Sequence, residues 1–120
     1  MNSRKELIRE YKETPKEMGV YRIRNTINNR SYVASSKDLQ ARFNRHRMDL
    51  KMGSESVKAL LADWVEYGEE AFVFEVLDTL EPLDKPGYDP KEDLKTLESI
   101  WFEKTNPYEP NGYNRVKTGR

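Results

Sequence analysis

Residues 19–25, Gly-Val-Tyr-Arg-Ile-Arg-Asn, alternate in character. Val20, Arg22 and Arg24 face one way, Tyr21 and Ile23 the other, as in a strand with distinct faces. Asn28 and Asn29 tolerate left-handed backbone, so the chain turns there. Residues 30–35, Arg-Ser-Tyr-Val-Ala-Ser, return as a second strand with Tyr32 and Ala34 on one face. Ser35, Ser36 and Asp38 are helix-capping residue types, and the pattern predicts a helix from there to about Lys51, stopped at Gly53. At about 100° per residue, Leu39, Phe43 and Leu50 fall in one narrow arc, with His46 inside it and Arg42 at its edge. A second helix over roughly 55–67 has Val57, Leu60, Leu61, Trp64 and Val65 as its apolar stripe and Gly68 as its stop. Residues 71–80, rich in aromatic and β-branched side chains, form a third strand. After a loop over 81–89, Asp89-Pro90-x-Glu92 opens a last helix to about Lys104, with Leu94, Leu97 and Trp101 as its buried stripe. Ahead of the hairpin, residues 3–13 read as a short polar helix broken at Thr14-Pro15.

The predicted order is therefore α-β-β-α-α-β-α. A hairpin preceding the helices disfavours a doubly wound parallel sheet. An α+β fold follows instead: a small, mostly antiparallel sheet flanked by helices.

Composition narrows the partners. The 120 residues suit one domain large enough to bury a core. Hydrophobic residues make up 36% and aromatics 11%, a polar but foldable balance. With no cysteine, disulfides and thiolate metal sites are excluded, and a reducing, cytoplasmic setting is expected. No apolar run approaches the roughly 18–20 residues of a membrane helix. The first residues lack the apolar core of a signal peptide. Net charge is zero, but residues 1–60 hold 14 Lys and Arg against 7 Asp and Glu, and residues 61–120 hold 7 against 14. The halves are thus +7 and −7, and a segregated basic region can bind a polyanion in an overall neutral chain.

Three features carry candidate chemistry, each with an ordinary structural alternative. His46, the only histidine, lies on a buried helix face one turn from Arg42, or is simply a core histidine bonded to backbone. Glu98 projects from the apolar side of the last helix, where a carboxylate must be paired, protonated or cation-bound, unless it snorkels to water. Mg²⁺ fits such a place because it often takes only one or two protein carboxylates. Tyr21 and Tyr32 are equally compatible with hairpin packing.

Their spacing resembles the GIY-YIG nuclease family. Gly19-Val20-Tyr21 looks like the first signature triplet, and Tyr32-Val33-Ala34 like the second. Arg42, His46, Glu98 and an "NGYN" ending in Asn114 follow in the family's order. The chain is especially similar to the nuclease domains of phage intron homing endonucleases through "NTINN", "YVASSKDL", "RFNRH", "DLKMG" and "NGYN". The resemblance implies residues 19–114 as the nuclease domain, with 1–18 an N-terminal helix and linker and 115–120 a tail. It implies a small three-stranded antiparallel sheet flanked by helices, and single-metal hydrolysis of DNA phosphodiesters. Glu98 would hold Mg²⁺ or Mn²⁺, Tyr21 would act as general base with Tyr32 close by, and Asn114 would orient the site near the metal. Arg42 would favour the Tyr21 phenolate and clamp a phosphate oxygen, and His46 would assist proton transfer or hold the phosphate. Arg22, Arg24, Lys37, Arg42 and Arg45 are the expected DNA contacts, and the helix start at Ser35–Lys37 adds donors suited to an anion.

Two positions depart from the family pattern. Ala34 stands where the second triplet has glycine, adding a methyl. Where similar phage enzymes tend to carry a second histidine, Glu55 lies in the neighbourhood. The short stretch after Asn114 favours a structure-selective, nonspecific or partner-directed nuclease over a long-site homing enzyme. Two other readings stay open: a weakly active or inactive nucleic-acid-binding or regulatory module on the same fold, and a protein-interaction domain docking through its acidic half. Oligomeric state is open, with a monomer favoured.

Overall fold

The computed structural model describes residues 16–115. The helix expected over 3–13 and the tail over 116–120 lie outside them. The elements are β1 (Met18–Asn25), β2 (Ser31–Ser36), α1 (Leu39–Met52), α2 (Lys58–Tyr67), a short 3-10 turn (Glu69–Ala71), β3 (Phe72–Leu80) and α3 (Lys91–Thr105). The α+β fold expected from the residue pattern is the one observed. No helix among the described residues is long and apolar enough to cross a membrane.

The sheet is antiparallel with strand order β2-β1-β3. As the central strand, β1 is covered on both sides, which is why Val20 is as buried as Tyr21 and Ile23. Tyr21 and Ile23 pack under α1 and α2 in a core with Leu39, Phe43, Leu60 and Trp64. On the other face α3 crosses β1 and β2, with Leu94 buried and the Trp101 indole N–H donating to Asp78 at 3.1 Å. A bulge falls where Val20 pairs with Asp78 but Tyr21 with Val76. There β3 comes so close that a Cβ on Gly19 would collide with the Asp78 carbonyl. The hairpin turns through Asn29 in the left-handed region, φ 61°.

Local signals were shifted by a few residues. The cap of α1 is Asp38, whose carboxylate accepts from the Ala41 N–H at 3.1 Å, and Gly53 ends the helix at φ 75°. The Asp89 carboxylate accepts from the Lys91 N–H at 3.0 Å, with Pro90 between them. In α2 the expected stripe is wrong at one position: Val65 is 76% exposed, and Asp63 is buried instead.

Asp63 can be buried because two segments, the hairpin turn and the C-terminal stretch, bring three donors to it. One oxygen accepts from the Tyr113 hydroxyl at 2.6 Å, the Asn28 amide at 3.0 Å and the Arg30 guanidinium at 3.3 Å. Arg30 also stacks on the Tyr113 ring, 4.8 Å from its centroid. This cluster ties the hairpin turn, α2 and the C-terminal segment together. That segment also lies along β2: the Tyr113 N–H donates to the Ser31 carbonyl at 2.9 Å. The Asn114 amide spans Val33 as a neighbouring strand would, accepting from its N–H at 2.9 Å and donating to its carbonyl at 2.8 Å.

Two stability outcomes follow. Asp63→Asn removes a buried anionic acceptor from three donors and lowers stability by about 1–3 kcal/mol, read as a lower urea midpoint at unchanged slope. Asn114→Asp sets a carboxylate oxygen against the Val33 carbonyl. It should cost about 1–3 kcal/mol at neutral pH. Because the neutral acid can donate where the amide did, the folded-state pKa of the new carboxyl is raised. Relative to wild type, the loss is therefore full at neutral pH and recovers below about pH 4. Urea melts of both chains at pH 7 and pH 3.5 test this.

Candidate active site

The hairpin and α1 converge on the Tyr21 hydroxyl. β1 directs this side chain into the α1 side of the sheet, and α1 presents Arg42 and His46 one turn apart. The Tyr21 oxygen lies 2.8 Å from His46 Nε2, and Arg42 Nε donates to it over a long 3.4 Å. On the far side of the imidazole, Nδ1 is 2.6 Å from Glu55 Oε1, with both residues 2% exposed. The second Glu55 oxygen accepts from the Val57 N–H at 3.1 Å and the Ser56 hydroxyl at 3.4 Å.

Protonation states follow from this wiring. Burial alone would push the Glu55 carboxyl up, but donors from His46 and Val57 and the positive charge of Arg42 outweigh it and hold it below the usual value. Glu55 is therefore a carboxylate at neutral pH and can only accept. In its neutral form the imidazole then carries its proton on Nδ1, facing this carboxylate, and Nε2 accepts from the Tyr21 hydroxyl. Arg42 does pull Tyr21 toward the phenolate, as expected, but burial outweighs it. Burial, reinforced by Tyr32, lifts the Tyr21 phenol well above its ordinary value, and Arg42 only partly offsets this. Tyr21 rests as a protonated phenol.

Tyr32 stands beside this chain, its ring 6.3 Å from Tyr21 and 5.7 Å from His46, edge to face with both. Burial raises its phenol too, with Arg42 opposing and Glu55 and Glu98 adding to the rise. Tyr32 also lines a groove of about 760 Å³, shared with Ala34, Lys58, Lys95, Glu98 and Asn114. β2 is the sheet's edge, so this groove is reached from both sheet faces.

Glu98 enters the groove from α3. Its Oε2 accepts from the Ser35 N–H at 3.0 Å and the Ser35 hydroxyl at 2.7 Å, while Oε1 has no hydrogen bond among the described residues. An anchored carboxylate with one open oxygen suits a hard cation that fills most of its shell with water and phosphate. Among the described residues no group of three or more His, Cys, Asp or Glu is placed to hold a metal.

The other candidates divide. Tyr21, Arg42 and His46 form one hydrogen-bonded cluster, Tyr32 joins it to the groove, and Glu98 stands in the groove wall. Asn114 spends its amide on Val33. Arg22 and Arg24 are on the opposite sheet face, donating to Glu75 at 2.7 and 3.1 Å. Burial would raise the Glu75 carboxyl, but these two guanidiniums hold it below the usual range. Lys37 pairs with Asp89 at 3.4 Å and Arg45 with Asp49 at 3.1 Å, both at the surface. Of the donors expected for an anion at Ser35–Lys37, the Ser35 N–H and hydroxyl already serve Glu98, and Asp38 puts an anion at the helix start. Two contributors escaped the sequence reading: Ser35, taken for a cap, and Glu55, noted only for not being histidine. The signal for Glu55 was a carboxylate in the short turn between Gly53 and α2, nine residues from His46.

Comparisons with known proteins bear on the family and the fold. The family profile for the GIY-YIG catalytic domain matches residues 17–114. Intron-associated endonuclease 1 of Enterobacteria phage T4 is 35% identical over 96 residues, covering 80% of this chain and 36% of that protein. The chain thus spans about a third of the length of this curated relative. The solved catalytic domain of the homing endonuclease I-TevI superposes with a TM-score of 0.68 at 31% identity, covering 83% of this chain and 99% of that one. A point mutant of the same catalytic domain gives a TM-score of 0.68 at 30% identity, covering 86% and 99%. A family match over most of the chain and a shared sheet-and-helix framework lead to one assignment: the chain belongs to the GIY-YIG family.

Proposed function

We propose that this chain is a metal-dependent endonuclease domain that hydrolyses DNA phosphodiester bonds with a single divalent cation. The observation that carries the reading is the Glu98 carboxylate. One oxygen is locked by Ser35 and the other is open, in a groove walled by Tyr32 and backed by the Tyr21–Arg42–His46 cluster. Mg²⁺ or Mn²⁺ bound there supplies Lewis-acid neutralisation of charge on the scissile phosphate and its leaving oxygen.

The remaining work belongs to side chains. Arg42 is exposed except where it meets Tyr21, so its remaining guanidinium donors can grip a phosphate oxygen. Tyr21 cannot wait as a free phenolate, because burial holds its proton. Its hydroxyl is shut off from water in the free chain, so substrate binding must uncover it before it accepts a proton from the attacking water as its own passes to His46 Nε2, 2.8 Å away. The new bond forms from water oxygen to phosphorus, and the leaving oxygen departs on the opposite side and takes a proton from solvent. Lys37 and Arg45 at the surface, with Lys58 and Lys95 beside the groove, provide positive charge for the DNA backbone. Arg22 and Arg24 share the single Glu75 carboxylate on the sheet face opposite Tyr21, so their surplus charge lies on that face.

The test is cleavage of supercoiled plasmid and labelled branched duplexes with Mg²⁺, with Mn²⁺ and with chelator. Cutting should need metal. Glu98→Gln should lower it by more than about 100-fold, since replacing even groups that only support a metal ligand costs 10–100-fold. Its melting temperature should stay near wild type, because a glutamine oxygen still accepts from Ser35. Cutting in chelator, or by the glutamine variant at wild-type rate, overturns the metal assignment. Salt-sensitive DNA binding without cutting in either metal makes the chain a binding module instead.

A further inference from the structure

We propose that Glu55 is a positioning residue for this reaction: it fixes His46 with its proton on Nδ1 and balances the imidazolium formed when His46 takes the Tyr21 proton. The inference rests on the nuclease reading and adds to it a residue that acts only through another side chain.

Geometry separates this role from simple bracing of the turn. Bracing the turn needs one oxygen, and Oε2 does this by accepting from the Val57 N–H and the Ser56 hydroxyl just before α2. Oε1 is free of that task, yet it lies 2.6 Å from His46 Nδ1, with both side chains shut away from water. The turn that carries Glu55 is held at its start by Gly53 in the left-handed region and by the Ser54 N–H donating to the Asp49 carbonyl at 2.8 Å. Pinned at both oxygens and at the backbone, the carboxylate has one orientation.

The charges around the imidazole give the sign. His46 faces Tyr21 from β1, Tyr32 from β2, Arg42 from its own helix and Glu55 from the α1–α2 turn. Glu55 is the only anion in this set, and Arg42 is a cation that opposes further positive charge. In the transfer, the water proton moves to the Tyr21 oxygen and the phenol proton moves to Nε2. An imidazolium then lies between Tyr21, which Arg42 also contacts, and Glu55. Without the carboxylate that state has no counter-charge, and the proton stays on Tyr21. The wiring Tyr21 O–H to Nε2 and Nδ1–H to carboxylate has the same logic as a hydrolase triad, with a phenol in the hydroxyl's place.

The test uses the full chain and Glu55→Gln, which keeps shape and removes charge. In triads, the matching amide substitution lowers kcat by about 10⁴-fold. Here single-turnover cleavage should fall by at least about 100-fold while DNA affinity holds within about threefold. The acid limb of the rate profile should move to lower pH, because the protonated imidazole has lost its counter-ion. Glu55→Asp, which restores charge at a longer reach, should recover part of the rate that glutamine does not. The chain has one histidine, so its imidazole nitrogens can be read directly by long-range ¹H–¹⁵N spectra. The Nδ1–H tautomer should dominate in wild type and lose that dominance in Glu55→Gln. Equal rates and equal pH profiles for folded wild type and Glu55→Gln overturn the proposal. So does equal impairment of the Asp and Gln variants in proportion to lost melting temperature, which is the mark of a brace alone. A wild type that binds but never cuts counts against the nuclease reading. A wild-type imidazole lacking its proton on Nδ1 counts against Glu55.

Discussion

An edge strand leaves every second residue with backbone groups facing outward, and the layout of this protein depends on how β2 fills them. Its outward residues are Ser31, Val33 and Ser35. The Ser31 carbonyl accepts from the Tyr113 N–H, Val33 is bracketed by the Asn114 amide, and the Ser35 N–H donates to Glu98. The edge is thus closed by the C-terminal segment and α3 without a fourth strand. Closing it also places the open Glu98 oxygen beside Tyr32, which reaches the same edge from the other sheet face. Asn114 therefore serves the site at one remove: it fixes the strand whose next outward donor fixes Glu98.

On the other side of that strand, desolvation and charge compete over Tyr21. A guanidinium beside a phenol pulls toward phenolate, but its Nε is 3.4 Å away and exposed, while the phenol is buried. Water screens the arginine and is denied to the tyrosine, so burial wins. The same burial makes the short contacts to His46 and onward to Glu55 effective, because neither has competing water. A buried phenol that cannot hold negative charge alone becomes useful only as one link in a chain ending in a carboxylate.

Much of this was legible from residue order. Alternation marked β1 and β2, and the helical wheel placed His46 on the buried face of α1, where Leu39, Phe43 and Leu50 are also buried. Periodicity reports what one element does with its own faces. It failed where a residue's fate depends on donors from far along the chain. Asp63 is buried, and Val65 exposed, because Asn28, Arg30 and Tyr113 meet at the carboxylate. Ser35 looked like a cap because its partner Glu98 is 63 residues away, and the pairing of Asn114 with the Val33 backbone, 81 residues away, had no local signal either. Arg22 and Arg24 looked free for DNA because sequence does not show which strand residue will sit across from them; it is Glu75.

Ala34 shows the opposite case, a departure from pattern that the fold absorbs. It pairs with Tyr21 inside a regular antiparallel ladder, and among the described residues the non-glycine positions with positive φ are Asn29 and Asn106. Glycine's backbone freedom is therefore not in use at this position, and the added methyl brings no strain. Gly19 and Gly112 differ, because there a Cβ would strike the carbonyls of Asp78 and Pro107. In this hairpin, close backbone approach constrains the start of the first triplet rather than the end of the second. What the Ala34 methyl changes is the wall of the groove, where it sits between the Tyr32 side and the Ser35 anchor of Glu98. Its influence on activity must therefore act through the space offered to substrate and not through the placement of Tyr21.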